Sequence, residues 1–381
     1  MPTHILYLVR HGSRYDYSNP ARWKALSTLP TVLSTNPPLS HFGFQQAELT
    51  GHHLKKSVDN DKSNLGPETV VKCYSSLYNR VLQTARPFVS LYETPILPEP
   101  GLLEYGHHHH TLEAPEVDIL QNFPEIDLSY VPLTSLYEVD WSSKTSRETG
   151  ISYLRRIHRF SHRYNASLKN VETNTVDVMF SHAASSSLVA ALTGETLGHV
   201  GQFAPCGVFK LTLNTKDGKG WKIDIMGSDN SHSIPSGVDV GSCTKPWGYV
   251  STADKDYEGM WVQARVEELE SPRAYHLVER DVWEGVKKGG VYIPKTYELD
   301  GFVHLMEDPG QLCGVGNLFY REPKESVWVC LEIDKGRAGG EIKYEPPMPV
   351  GDKDAKEHTG EVRRSRRSEL PSAAPFMTTI N

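Results

Sequence analysis

An arginine and a histidine stand side by side at Arg10-His11, directly before Gly12, and a second histidine stands at Ser181-His182. A further arginine, Arg80, lies within YSSLYNRVLQTA at 74–85. Arginine presents a rigid donor fork that matches phosphate oxygens bidentately. Histidine forms covalent intermediates. Arginines close to a histidine disfavour its imidazolium form, which leaves the ring neutral and nucleophilic at neutral pH. Brought together, Arg10, His11, Arg80 and His182 make a site for a doubly charged tetrahedral anion. Such a site attacks phosphorus without a metal, and no metal-ligand spacing occurs in the chain. The tract His107 to His110 is no exception. Adjacent residues do not share a face, whereas structural metal sites use spaced ligands, so the tract reads as a loop that binds metal at most adventitiously.

These residues meet only if the elements that carry them converge. Five of the six residues Ile5 to Arg10 are apolar or aromatic, the mark of a strand buried on both faces. The run stops at Arg10-His11-Gly12, where the glycine lets the backbone turn. Val70 to Tyr74 and Thr175 to Phe180 are two more such runs; Arg80 and His182 follow them. In an open α/β sheet these strand ends lie along one edge, where ligands bind. Arg80 also opens a predicted helix reaching Tyr92, and a cation at that end is unfavourable unless an anion joins it. Ser40 is a good N-cap for a helix to about Lys56, with Phe44, Ala47 and Leu54 toward a core. Residues 13–38 form a polar, aromatic segment with Tyr15, Tyr17 and Trp23, long enough to be functional or a lid.

Further along, a short helix is expected near Pro115 to Asn122 and a long amphipathic one from Ser146 to about Leu168. Ala183 to Leu192 reads as a helix. Val208 to Leu213 and Trp221 to Met226 read as a hairpin. Alternating strands and helices predict an α/β fold: a mainly parallel, doubly wound sheet with helices on both faces, in residues 1–252. A charged, weakly patterned linker is expected over 253–272. A small α+β domain follows over 273–350, with strands at 274–278, 302–305, 326–333 and 341–345 and helices at 280–288 and 308–319. Residues 351–381 lack a core pattern and read as a disordered tail.

With 381 residues, two domains are the prior. The net charge of −7 excludes neither fold nor catalysis but gives no surface for nucleic acid or an anionic membrane. No apolar run spans a bilayer, and the amino terminus lacks the pattern of a signal peptide. Five scattered cysteines, Cys73, Cys206, Cys243, Cys313 and Cys330, read as free thiols in a reducing compartment. The expected location is cytoplasmic, and the basic run 363–367 adds a nuclear address as the alternative to a solvated charge cluster.

The motifs LVRHG at 8–12, PPLS-x-x-G-x-x-Q-A-x-x-x-G at 37–51, YSSLYNRVLQTA at 74–85, GLLEYG at 101–106 and FSHAAS at 180–185 resemble the histidine phosphatase superfamily. Within it they are similar to the eukaryotic branch of Sts-type phosphatases and the small TFIIIC subunit, as is MGSDNSHS at 226–233 with Trp247. The resemblance covers about residues 4–250. It implies that His11 takes the phosphoryl group, that Arg10, Arg80 and His182 cradle it, and that a carboxylic acid protonates the leaving oxygen. Glu104 matches the family's acid in GLLEYG. A general acid must keep its proton until the leaving group departs, so its pKa is expected above the reference of about 4.3, raised by the apolar flank Leu102-Leu103-Tyr105. Glu99, Glu113 and Asp16 are the alternatives.

The stretches AYHLVERDVWEGVKKGGVY at 274–292, DGFVHL at 300–305, QLCGVGNLFYR at 311–321 and VCLEIDKGRAGGEIKYEPP at 329–347 resemble a second, uncharacterised family, domain of unknown function nine-five-two. That resemblance implies a core similar to ADP-ribosyltransferase folds. His276 and His304 match the family's recurrent histidines and are read as structural. The chain has VRRSRRSELPSAAPF where that family ends on a motif like FPHIYGPL.

The function expected is a metal-independent phosphomonoesterase, needing no cofactor, acting through a phosphohistidine on His11. Its substrate is a phosphorylated small molecule or a phosphoprotein; the sequence shows neither which one nor the oligomeric state. The alternatives are a catalytically weak scaffold like the TFIIIC subunit and, on the same site, a phosphoglycerate-type mutase.

Overall fold

The computed structural model describes residues 2–28, 36–105, 117–134, 148–214, 220–235, 246–250, 255–270, 273–287, 292–294, 297, 303–306, 328–334, 342–345 and 377–380. The chain divides into two compact units, Met1–Val266 and Glu267–Asn381.

The first unit opens with β1 (Thr3–Arg10), followed by the short helices α1 (Tyr15–Ser18) and α2 (Pro20–Leu26). Next come α3 (His41–Leu65), β2 (Val70–Ser75), α4 (Asn79–Tyr92), β3 (Ile96–Pro98), a 3-10 turn at Pro100–Leu102 and α5 (Val117–Asn122). Then follow α6 (Gly150–Leu168), β4 (Thr175–Ser181), a 3-10 turn at Ala183–Ser185, α7 (Ser186–Thr193) and α8 (Leu197–Val200). The unit closes with β5 (Gln202–Phe203), β6 (Val208–Asn214), β7 (Trp221–Ile225), β8 (Trp247–Gly248) and the start of α9 (Tyr257–Glu270).

The sheet runs β3-β2-β4-β1-β6-β7. The first four strands in that order are parallel, and β6 and β7 join as the expected antiparallel hairpin. Side chains alternate along β1, so Ile5, Tyr7 and Val9 face one core and Leu6 and Leu8 the other. On the first face lie Leu54 and Val58 of α3 and Val81, Leu82 and Phe88 of α4. On the second lie Leu154, Ile157 and Phe160 of α6 and Leu188 and Val189 of α7. Burial on both faces is why β1 reads as an unbroken apolar run.

Ser40 caps α3 as expected, accepting from the Gly43 amide at 3.0 Å. The helix runs on to Leu65, more than two turns past the expected end. Phe44, expected in the core, is 47% exposed. The inward face of α3 is set instead by Gly43, Ala47 and Gly51. A Cβ on Gly51 would sit 2.7 Å from the Pro87 side chain, so the bare glycine lets α3 and α4 pack closely. The stretch 253–272, expected as a linker, contains α9. Trp261 and Ala264 of that helix are buried in the core of the first unit, and the Trp261 ring stacks on His158 with centroids 3.9 Å apart.

The second unit holds the rest of α9, β9 (Arg273–Glu279), α10 (Arg280–Val286), β10 (Val303–Met306), β11 (Trp328–Asp334), β12 (Ile342–Glu345) and β13 (Met377–Ile380). Its antiparallel sheet has the order β11-β9-β10-β13-β12. The expected strands are thus present, and within the stretch 351–381 residues Met377–Ile380 form β13, which pairs between β10 and β12. The expected helix 308–319, the basic run 363–367 and His107 to His110 lie outside the described residues, as do Cys243 and Cys313. Cys73, Cys206 and Cys330 are free thiols. Among the described residues no helix is long and apolar enough to cross a membrane.

Candidate active site

Strand register assembles the site. β1 and β4 pair from His4 with Thr175 through Arg10 with Ser181, so His11 and His182 leave the sheet side by side. Ser75 of β2 pairs with Phe180 and with Pro98 of β3, which brings Ser76 and the turn after β3 to the same edge. Arg80 stands in the first turn of α4. All the residues expected at the site, Arg10, His11, Arg80, Glu104 and His182, come together there.

The turn after β1 is fixed from below. The Gly12 amide donates to Thr84 Oγ1 at 3.1 Å, and Thr84 Oγ1 donates to the Arg80 carbonyl at 2.7 Å. The Ser13 amide donates to Gln46 Oε1 at 2.8 Å. A Cβ on Gly12 would lie 2.8 Å from the Gly43 carbonyl oxygen, and one on Gly43 only 2.2 Å from the Ser13 oxygen. Gly43 and Gln46 therefore exist to let α3 press against this turn.

His11 is 2% exposed, and its Nδ1 donates to the Gly12 carbonyl at 2.7 Å. That carbonyl can only accept, so Nδ1 carries the proton and Nε2 keeps its lone pair. Burial, then Arg80, His182 and Arg10, hold the imidazole well below its ordinary pKa. The ring is neutral at neutral pH, as the sequence predicts. His182 is fully buried; its Nε2 lies 2.9 Å from Ser76 Oγ, and its Nδ1 lies 3.2 Å from Glu104 Oε2 and 3.3 Å from Arg80 Nη2. Burial lowers its pKa to about 4, with Glu104 opposing. The contact with Glu104 is therefore a hydrogen bond to a neutral ring at pH 7, not an ion pair.

Arg10 donates to the Phe203 carbonyl at 2.5 Å, while Arg80 reaches Glu104 Oε2 at 3.6 Å and lies over the Tyr78 ring at 4.5 Å. Burial pushes both guanidiniums down to about 10, far above neutrality, so both stay charged. Arg10 Nε and Arg80 Nε and Nη1 are buried with no hydrogen-bond partner among the described residues. Unpaired buried donors are costly. These unpaired donors are what a tetrahedral oxyanion would satisfy.

Glu104 departs from expectation in one respect. Burial raises its pKa, but His182, Arg80 and His11 outweigh burial and hold the carboxyl well below its ordinary range. The apolar flank does desolvate it, with Leu102 and Leu103 buried, yet the His182 contact and the Arg80 charge outweigh that burial.

Of the alternative acids, Glu99 is consumed structurally. Its carboxylate accepts from the amides of Gly101, Leu133 and Thr134 and from the Tyr130 hydroxyl, at 2.8 to 3.1 Å. Asp16 is engaged by Arg14 through two bonds of 3.0 and 2.6 Å. Glu113 lies outside the described residues. Arg14 itself is a group that the motif reading missed. Its charge adds to the field that lowers the pKa of Arg80 and His182, and it lies 4.3 Å over the Tyr17 ring. Its position in RHGSR, four residues after Arg10, was the available signal.

Nitrogen, oxygen and nitrogen atoms of His11, Glu104 and His182 lie within 4.8 Å of one another, a spacing a metal ion accepts. The two buried guanidiniums in the same space oppose a dication and favour an anion. In the second unit, His276 is buried and bonds Tyr292 at 2.9 Å between Nε2 and the hydroxyl, consistent with a structural role. His304 lies on β10 opposite Thr379.

A sequence model described as protein of unknown function (DUF952) matches residues 277–362. The transcription factor tau 55 kDa subunit of Saccharomyces cerevisiae is 27% identical over 192 residues, 49% of this chain and 40% of that protein, so the match spans less than half of the relative. Among solved structures, the ecdysone phosphate phosphatase of Bombix mori in complex with tungstate is 18% identical with a TM-score of 0.41, covering 67% of this chain and 98% of that one. The mycobacterial glucosyl-3-phosphoglycerate phosphatase is 17% identical with a TM-score of 0.36, covering 58% of this chain and 98% of that one. The model of the histidine phosphatase superfamily, branch 1, matches residues 6–228, well over half of the chain, and the chain belongs to that superfamily.

Proposed function

We propose that the protein is a metal-independent phosphomonoesterase working through a phosphohistidine on His11. The observation that carries this reading is the pairing of a neutral, Nδ1-protonated His11 with three unpartnered guanidinium donors of Arg10 and Arg80 at the same strand edge. The arginines hold the phosphate oxygens, and His11 Nε2 attacks phosphorus. The bond from phosphorus to the ester oxygen breaks, and Glu104 gives that oxygen its proton. Water then attacks the phosphohistidine, Glu104 takes the water's proton, and inorganic phosphate leaves with His11 restored. His182, held by Ser76 at Nε2, turns its Nδ1–H from Glu104 to the phosphoryl group once Glu104 carries the proton. The substrate is a phosphorylated small molecule or a phosphoprotein.

The test is a brief pulse of labelled aryl phosphate followed by denaturation. Wild type should carry an acid-labile, alkali-stable label, and His11→Ala none, with turnover lowered at least about a thousandfold. A variant keeping more than about a tenth of wild-type turnover removes His11 as the nucleophile. Treatment with a chelator should leave wild-type turnover intact; loss restored by zinc would instead make His11, Glu104 and His182 metal ligands.

A second reading, a partner-binding module with little catalysis, is favoured by the similarity to a transcription factor subunit. The same pulse separates the two, since a scaffold takes no label.

A further inference from the structure

The acid in this reaction sits on a loop, and a loop residue is only as well placed as its backbone. One buried side chain meets four carbonyls of the loop from Pro100 to Glu104 from behind. Arg156, on α6, is 1% exposed. Its Nη1 lies 3.2, 3.0 and 3.4 Å from the carbonyl oxygens of Pro100, Gly101 and Leu103, and its Nη2 lies 3.3 and 3.5 Å from those of Leu103 and Glu104. Nε and Nη2 also donate to Glu148 at 2.8 Å each. A guanidinium has five N–H groups in a fixed plane. Two meet the carboxylate and the other three fan across four consecutive-turn carbonyls, so the fork sets the path of the chain that delivers Glu104.

We propose that Arg156 is a positioning residue for the acid: anchored by Glu148, it fixes the backbone of 100–104 so that the Glu104 carboxylate meets His182 and Arg80. The inference rests on the reading of Glu104 as the acid. Other contacts brace the same loop, Glu99 at the Gly101 amide and Ser181 Oγ at the Leu102 carbonyl, 2.6 Å away. Arg156 also donates to the carbonyl of Glu104 itself. It touches neither the arginines nor the histidines of the site, so its effect passes through the placement of Glu104.

Two variants test this. Arg156→Lys keeps a charge facing Glu148, but one nitrogen cannot span four carbonyls and both carboxylate oxygens. The double variant Arg156→Met with Glu148→Gln removes the fork together with the buried charge it balances; if it does not fold, the lysine variant carries the test. Turnover is measured on nitrophenyl phosphate, whose leaving group departs as an anion, and on an alkyl phosphate, whose leaving oxygen needs a proton. Histidine ring nitrogen NMR spectra are recorded on the same proteins, with Glu104→Gln as the reference for a lost contact to His182. The expected result is a loss on the alkyl ester at least about tenfold greater than on the nitrophenyl ester. KM should move less than about threefold, because Arg10 and Arg80 still bind the phosphate. The His182 resonance should move toward its position in Glu104→Gln. Equal losses on both esters with His182 unmoved would show that Arg156 only supports the fold and would overturn the inference. If wild type hydrolyses neither ester, the phosphatase reading fails, and the spectra still decide: His182 shifted in Arg156→Lys supports positioning, and His182 unshifted overturns it.

Discussion

Glu104 and Arg80 share one oxygen contact yet serve different moments of the proposed reaction. Arg80 is buried, charged and partly unpartnered, and in the proposed reaction it binds the phosphate in ground and transition states alike. Glu104 matters only as the ester oxygen gathers charge. Glu104→Gln keeps the shape and loses the proton, and should cut turnover on alkyl phosphates by about a hundredfold or more while costing nitrophenyl phosphate much less. Arg80→Ala should weaken both substrates alike, since both present the same phosphate. The ratio of the two losses for each variant is the measurement, and equal losses for Glu104→Gln would assign the acid elsewhere. The low pKa of Glu104 adds a second expectation. Inorganic phosphate should raise it, because the dianion repels the carboxylate and competes for His182 and Arg80, which hold it ionised. A carboxyl infrared band that appears on phosphate binding in wild type, and not in Glu104→Gln, reports that proton.

Elements enter through how closely they approach. Gly43 lets α3 touch the turn that holds His11, and a Cβ there would lie 2.2 Å from a backbone oxygen that cannot swing aside. Gly43→Ala should cost about 1–3 kcal/mol of stability and lower turnover, because the turn must move with the helix. Urea unfolding and kinetics on one preparation check both, and an alanine variant of wild-type stability would contradict the packing argument. The sheet edge was legible beforehand because β1 and β4 are buried on both faces, and such runs end visibly where polar residues begin. Phe44 was misread because helical spacing alone cannot tell a large outward side chain from the small residues, Gly43, Ala47 and Gly51, that make the contact face. The helix α9 hid in a charged stretch because Trp261 and Ala264 are its only fully buried residues among those whose burial is described, with Tyr257 and Met260 half-buried beside them. Arg156 left no pattern at all: its partners are mostly backbone carbonyls, and a carbonyl has no letter in the sequence.

At the scale of the whole molecule, the first unit stores proton-linked free energy in neutral histidines. His158, His182 and His232 are each lowered to about 4, and His11 lies well below its ordinary value, all with burial as the first cause. His4 and His53 are lowered too. An unfolded histidine takes its proton near 6.5. Between that pH and about 4 the unfolded chain binds more protons than the folded one, so stability falls as the solution is acidified. Two buried carboxyls act in the opposite sense. Burial raises Glu99 to about 7 and Asp177 to about 6, so the folded chain holds their protons longer and their contribution fades as pH rises through those values. Six histidines against two carboxyls set the sign: the midpoint of urea unfolding should rise between pH 4.5 and 6.5. His158 is the histidine to remove, because it lies outside the phosphate site and packs on Trp261, where α9 closes the first unit. His158→Gln should flatten the rise without touching the groups that bind phosphate. A midpoint that stays level or falls over this span in wild type would mean that the carboxyls dominate, and an unchanged slope in His158→Gln would place the linkage on the remaining histidines.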